Sequence, residues 1–237
     1  MPSKVNPTDL EVLESERREG NMADQSDVRG NVRGNVRGNV PGTVQGNVRD
    51  NVAGNAQAAA QAVGQDRAVF RVIIHGPIER VWHEITRTDI PQKCMFNSLI
   101  TTPGGVLKVG APMQARTASG KHVGVVGRVL ELDPPRRYAH TFKFTRFDDP
   151  PCKVTYDLRE IAEGTEFTLT ITDLAPGTKT AKQRLAGSKL IVNTLKNVVE
   201  TGRPSFGVRC FYKLFGVLEM LMPKHTRVEN WPLDRAV

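Results

Sequence analysis

Hydrophobic spacing divides the chain into stretches of different period. Ala68 to His75 alternates Phe70, Val72 and Ile74 against Val69, Arg71 and Ile73, the period-two pattern of a strand with one well-buried face. Pro77 suits a first helical turn. Ile78, Val81, Trp82 and Ile85 follow at helical spacing, so 77–86 reads as a short helix and Ile90 to Phe96 as a second. Beyond Pro103-Gly104-Gly105, strands are expected at roughly 112–118, 122–132, 137–146, 151–161 and 164–173. Turn residues separate them: Ser119-Gly120, Pro134-Pro135, Asp149-Pro150-Pro151 and Glu163-Gly164. Strands joined so tightly are antiparallel. After Pro176-Gly177 the period turns helical to about Thr201, with Leu185, Val192, Leu195 and Val199 on one stripe and Ile191 and Val198 beside it.

Ahead of this part the pattern is different. From Val28 to Asn55 the chain repeats every four residues as VRGN, VRGN, VRGN, VPGT, VQGN, VRDN and VAGN. A helix would carry a glycine nearly every turn, and a strand would alternate valine with glycine on one face. Residues 1–64 are therefore expected to be a disordered tail, with the alanine-rich Asn55–Gln65 forming a short helical lead into the folded part. Residues 65–202 read as one α+β domain, and 203–237 as an amphipathic basic extension.

Composition sharpens this only where it locates charge. The 237 residues carry a formal net charge of +8, of which 178–237 hold 11 Lys/Arg against 4 Asp/Glu. No nucleic-acid motif and no row of stacking aromatics accompanies that excess, so nucleic acid is not an expected partner. Cys94, Cys152 and Cys210 stand 58 residues apart without a Cys-x-x-Cys pair, and read as reduced thiols of a cytoplasmic protein. No secretory pattern opens the chain, and no apolar run reaches the length of a membrane span.

At the residue level, the succession Ile74-His75-Gly76-Pro77-Ile78-Glu79-Arg80-Val81-Trp82, Gly127 to Tyr138 (GRVLELDPPRRY), Val154-Thr155-Tyr156-Asp157-Leu158 and Gly164 to Thr170 (GTEFTLT) resembles the SRPBCC superfamily. This superfamily is also called START-like or helix-grip, and the likeness is closest to its heat-shock-protein-90 ATPase activator homologue-like branch. The resemblance covers about 68–201. It implies a curved antiparallel sheet of about six or seven strands wrapped around a long C-terminal helix, with two short helices after the first strand. It also implies an apolar molecule held between sheet and helix. Many relatives have an aromatic pair after the first helix and a Gly-Trp in the long helix, where this chain has Cys94-Met95-Phe96 and Gly187-Ser188.

Strand parity places Tyr138, His140, Phe142 and Phe144 on one face, joined by Tyr156 and Leu169 from adjacent strands and by Val192 and Leu195 from the helix. Met95, Phe96 and Met113 are expected at the entrance, where methionine adapts to varied ligands. The expected function is non-catalytic binding of a small hydrophobic or amphipathic molecule, lipids included. His140 is the one residue that would serve as a base if the protein were instead a cyclase- or aromatase-like enzyme, the superfamily's other habit. A co-chaperone-like role would work through the basic surface of Lys182, Arg184 and Lys189 and through the C-terminal helix. Phe211, Leu214, Phe215, Leu218 and Met222 have the helical spacing for a protein partner or for peripheral membrane contact through 206–227. No Gly-x-Ser-x-Gly elbow, Walker loop, dinucleotide fingerprint or zinc spacing occurs, so neither cofactor nor metal is expected.

Overall fold

A computed structural model describes residues 59–62 and 66–233. The repeat at 28–55 lies outside the described residues, as does most of the expected tail.

Eight antiparallel strands form one sheet: β1 (Ala59–Ala62), β2 (Ala68–Ile74), β3 (Leu99–Thr101), β4 (Pro112–Arg116), β5 (Val123–Asp133), β6 (Arg137–Phe144), β7 (Cys152–Ile161) and β8 (Gly164–Thr172). The spatial order is β1-β2-β8-β7-β6-β5-β4-β3. Helix α1 (Ile78–Thr86) follows β2, α2 (Lys179–Thr201) follows β8, and α3 (Phe206–Leu218) follows α2. This is the α+β helix-grip architecture.

Two expectations are corrected at the level of elements, and the sheet, expected to have about six or seven strands, counts eight with its short edge strands, which alternation does not reveal. β3 is only three residues long, and β1 is an alanine segment paired with β2 from Ala59↔Arg71 to Ala62↔Ala68. Ala59–Ala62 is accordingly a strand and not part of a helical lead, since the ladder offered by the β2 edge outweighs the helix preference of alanine. The second short helix is absent. Residues 93–97 form turns instead, with Gln92 bridged to Ser98 and with Phe96 and Asn97 at φ 57° and 56°, a left-handed pair that no right-handed helix accommodates.

Strand register sets one face of the sheet against α2. Tyr138 faces Tyr156, which faces Leu169, which faces Phe70; Leu158 faces Phe167, which faces Val72. These side chains are buried together with Ile191, Val192, Leu195 and Val199 of α2. The sheet bends where β5 shifts register against β6 between Val129 and Glu131. Close by, Gly127 lets the Thr141 carbonyl approach: a Cβ there would lie 2.0 Å from that oxygen.

The start of α2 is held by two side chains. Thr178 Oγ1 accepts from Ala181 N at 3.1 Å, and Asp149 Oδ2 accepts from Thr180 N at 2.8 Å. Asp149, legible in the sequence only as a turn residue, thereby ties the β6–β7 connection to the helix that the sheet grips.

Candidate functional site

The site is built on β6, β7 and the inward side of α2. Alternation along β6 sends Tyr138, His140 and Phe142 to the face covered by α2, and all three are buried. The rings form a seam. Tyr138 stacks on Tyr156 with centroids 5.5 Å apart, His140 lies 5.2 Å from Tyr138 and 5.9 Å from Tyr156, and Tyr156 stacks on Phe167 at 5.9 Å. Phe142 continues it into an edge-to-face contact with Phe144 at 4.7 Å.

Helix α2 supplies what the sequence reading missed. At 3.6 residues per turn, the centre of its buried arc falls on Arg184, Ser188 and Leu195, whereas Leu185 sits at the rim, 44% exposed. The expectation that Leu185 heads the core stripe is therefore corrected, as is the placing of Arg184 on the outer surface beside Lys182 and Lys189. Those two lysines are exposed; Arg184 is 5% exposed, the sole Asp, Glu, Lys or Arg among the buried side chains of the described residues. Its Cζ lies 4.1 Å from the centroid of Phe142. No carboxylate pairs with it among the described residues, and its Nε and Nη2 have no hydrogen-bond partner. The Tyr138 hydroxyl and the Ser188 hydroxyl are likewise buried without a partner. The signal in the sequence was the i, i+4 pair Arg184 and Ser188, two turns and one turn before Val192 on a helix long enough to cross the sheet.

Electrostatics follow from burial. His140 is held neutral to about pH 4, first by desolvation and further by the charge of Arg184, against a raising bond to the Thr141 backbone. Its Nδ1–H donates to Thr141 O at 2.8 Å, the carbonyl fixing this tautomer and leaving Nε2 as the acceptor nitrogen. Burial pushes the Tyr156 phenol up to about 12 and that of Tyr138 higher still. At neutral pH, Arg184 thus stands as a lone cation among uncharged donors and acceptors. Such a set can orient a polar group and accept a proton at His140; it contains no activated nucleophile, Cys94 being raised to about 12 by burial.

The remaining expected residues are placed as follows. Leu169, Val192 and Leu195 are buried walls of the same core, and Phe144 packs against it half-buried. Met113 is a wall too, at 3% exposure, and not part of an entrance. Met95 and Phe96 are half-buried at the turn after α1. Phe96 fills the space beside Gly187: a Cβ there would lie 3.2 Å from Phe96 Cζ, so glycine on α2 makes room for the ring. Among the described residues no group of three or more His, Cys, Asp or Glu could hold a metal ion.

The C-terminal segment divides in two. Residues 223–231 strap the β4–β5 hairpin: His122 Nδ1 and Thr226 Oγ1 are 2.9 Å apart, Val228 N donates to Lys121 O, and Gln114 Nε2 donates to Trp231 O at 2.8 Å. Helix α3 has no buried residue. Its Tyr212 hydroxyl donates to Lys93 O at 2.8 Å, beside the Met95–Phe96 turn.

Residues 75–200 match the family model described as activator of Hsp90 ATPase homolog 1-like protein. The chain belongs to this family. Solved structures similar to it include protein CV1439 from Chromobacterium violaceum, 21% identical, covering 57% of this chain and 98% of that one with a TM-score of 0.44. CalU16 from Micromonospora echinospora is 19% identical over 63% of this chain and 83% of its own, with a TM-score of 0.45. The Aha1 dimer from Colwellia psychrerythraea is 17% identical over 57% of this chain and 97% of that one, with a TM-score of 0.47. No curated protein sequence matches the chain. Family membership fixes the architecture around the seam; the polar groups that α2 turns into it are read from this chain's own residues.

Proposed function

We propose that the protein binds a small molecule with an apolar body and a polar end between the sheet and α2, and that it does so without catalysing a reaction. One observation carries this reading: buried polar groups without protein partners, the Tyr138 and Ser188 hydroxyls, sit on opposite elements flanking an aromatic seam. Unsatisfied buried hydroxyls are costly, and a ligand supplying donors or acceptors relieves that cost. The seam offers flat apolar faces to the body of the molecule, which gains about 25 cal/mol per Å² of apolar surface removed from water. Native mass spectrometry of gently purified protein, compared with the denatured mass, tests it. A stoichiometric non-covalent adduct of a few hundred daltons is expected, the size such sites enclose. An adduct that survives unchanged in Tyr156→Ala and Ser188→Val chains that fold normally would place the ligand elsewhere.

A second reading, favoured by α3, is peripheral contact with an anionic lipid surface. Phe206, Phe211, Leu214, Phe215, Val217 and Leu218 occupy one half of the helical circumference and are all exposed, Phe206 by 78%; Met220 follows at 84%. Arg209 and Lys213 are exposed along the flank of that arc, which is the arrangement of an interfacial helix. No helix among the described residues is long and apolar enough to cross a membrane. Co-sedimentation with vesicles of phosphatidylglycerol and phosphatidylcholine is expected, weaker with phosphatidylcholine alone, and lost in a Leu214→Asp, Phe215→Asp chain. Concentration-dependent dimerisation without vesicle binding would assign the face to a second copy instead.

A further inference from the structure

The unpartnered nitrogens of Arg184 have a geometry of their own. In a guanidinium group, Nε–H and one N–H of Nη2 point the same way and form one edge, a two-pronged fork whose spacing matches the two oxygens of a carboxylate. Both atoms of that edge are buried and unpaired, while the guanidinium carbon lies over the Phe142 ring, 4.1 Å from its centroid. The edge that reads oxyanions is thus the one left without a protein partner.

We infer that the molecule held between sheet and α2 carries a single carboxylate, received by the Nε–Nη2 edge of Arg184, with its apolar body laid against Phe142, Tyr156 and the facing side of α2. This rests on the small-molecule reading above and narrows it to a class of ligand. Three observations converge on it. An isolated buried cation is costly, and elsewhere in proteins it is paired with an acid or bound to one; here no acid among the described residues plays that part. The unpaired atoms are adjacent on one side of the group and not scattered around it. The charge count selects a monoanion, since Arg184 is the only buried charged side chain among the described residues and His140 beside it is neutral at physiological pH. A doubly charged phosphate monoester would leave one charge unmatched in the interior. The Ser188 hydroxyl, one turn further along α2 and also unpaired, is placed to donate to the same group.

The test compares two probes with one bicyclic body, 1-naphthoate and the isosteric, uncharged 1-naphthamide, titrated calorimetrically against the full chain at neutral pH. Naphthoate is expected to bind at least roughly tenfold more tightly, the usual worth of hydrogen bonds to a charged group. Arg184→Met should abolish that preference by weakening naphthoate alone, and Arg184→Lys, which keeps the charge without the fork, should restore only part of it. Equal binding of the two probes by the unmodified chain overturns the carboxylate assignment and leaves the small-molecule reading standing; this comparison needs no variant to fold. Binding of neither probe removes both. An Arg184→Lys chain indistinguishable from the unmodified one overturns the two-pronged geometry.

Discussion

Arg184 of α2 lies over the ring of Phe142 on β6, the guanidinium carbon 4.1 Å from the ring centroid. The contact joins the one buried Asp, Glu, Lys or Arg side chain among the described residues to an aromatic ring of the sheet. Burial depresses the basicity of Arg184, which marks the position as unfavourable for charge. The proposed ligand would offset that cost.

Arg184→Met therefore raises the stability of the ligand-free protein. It removes an uncompensated buried charge and fills nearly the same volume, a change worth about 1–4 kcal/mol where buried ionic groups have been replaced by apolar ones. Thermal unfolding of both chains measures it. A lower melting temperature in the variant would mean that Arg184 is a structural residue whose contact with Phe142 outweighs its desolvation.

Phe142→Leu and Arg184→Met are expected to be coupled. Either single change removes the cation–ring contact, so their effects on unfolding free energy fall short of additivity by about 1–2 kcal/mol for a desolvated pair. Urea unfolding of the two single variants and the double variant gives the coupling. Simple additivity would show that the stacked geometry contributes nothing.

His140 makes stability depend on pH. Its ring takes up a proton near 6.5 in the unfolded chain and only near 4 in the folded one, mainly because it is buried. Between those values the unfolded state binds more protons, so stability is complete above about pH 6.5, falls as pH drops, and levels off below about 4. The loss amounts to about 3 kcal/mol at the acid end. Urea midpoints across this window follow it, and His140→Gln should flatten the slope.

Asp149→Ala frays the gripping helix from its first turn. The Thr180 amide loses its acceptor at 2.8 Å while Thr178 continues to cap Ala181 at 3.1 Å, so the cost is about 1 kcal/mol and local. Hydrogen exchange should quicken at Thr180 while Leu195 and Val199 stay protected. Uniform acceleration along α2 would show that the cap holds the whole helix.

The strands from β4 to β8, the first helix and α2 were legible because each is long enough for its period to register and each is bounded by proline, glycine or a cap. The seam was legible for the same reason: Tyr138, His140 and Phe142 alternate, and one residue of parity decides which face they share. The edges and the turn after α1 were not. A four-residue alanine strand has no alternation to read, and its state follows from the β2 edge beside it.

Sequence by itself determined the order of β2, α1, β4 to β8 and α2, the face each of these strands buries and the residue types at the family's positions, since these depend on local period and turn chemistry. Tertiary structure decided the rest. Which arc of α2 faces the sheet was set by packing against it, and that rotation carried Arg184 inward, took Leu185 to the rim and brought a charge named as surface to within 4.1 Å of a buried ring. A helix wheel shows neighbours on one helix; only the opposing strand shows what they meet.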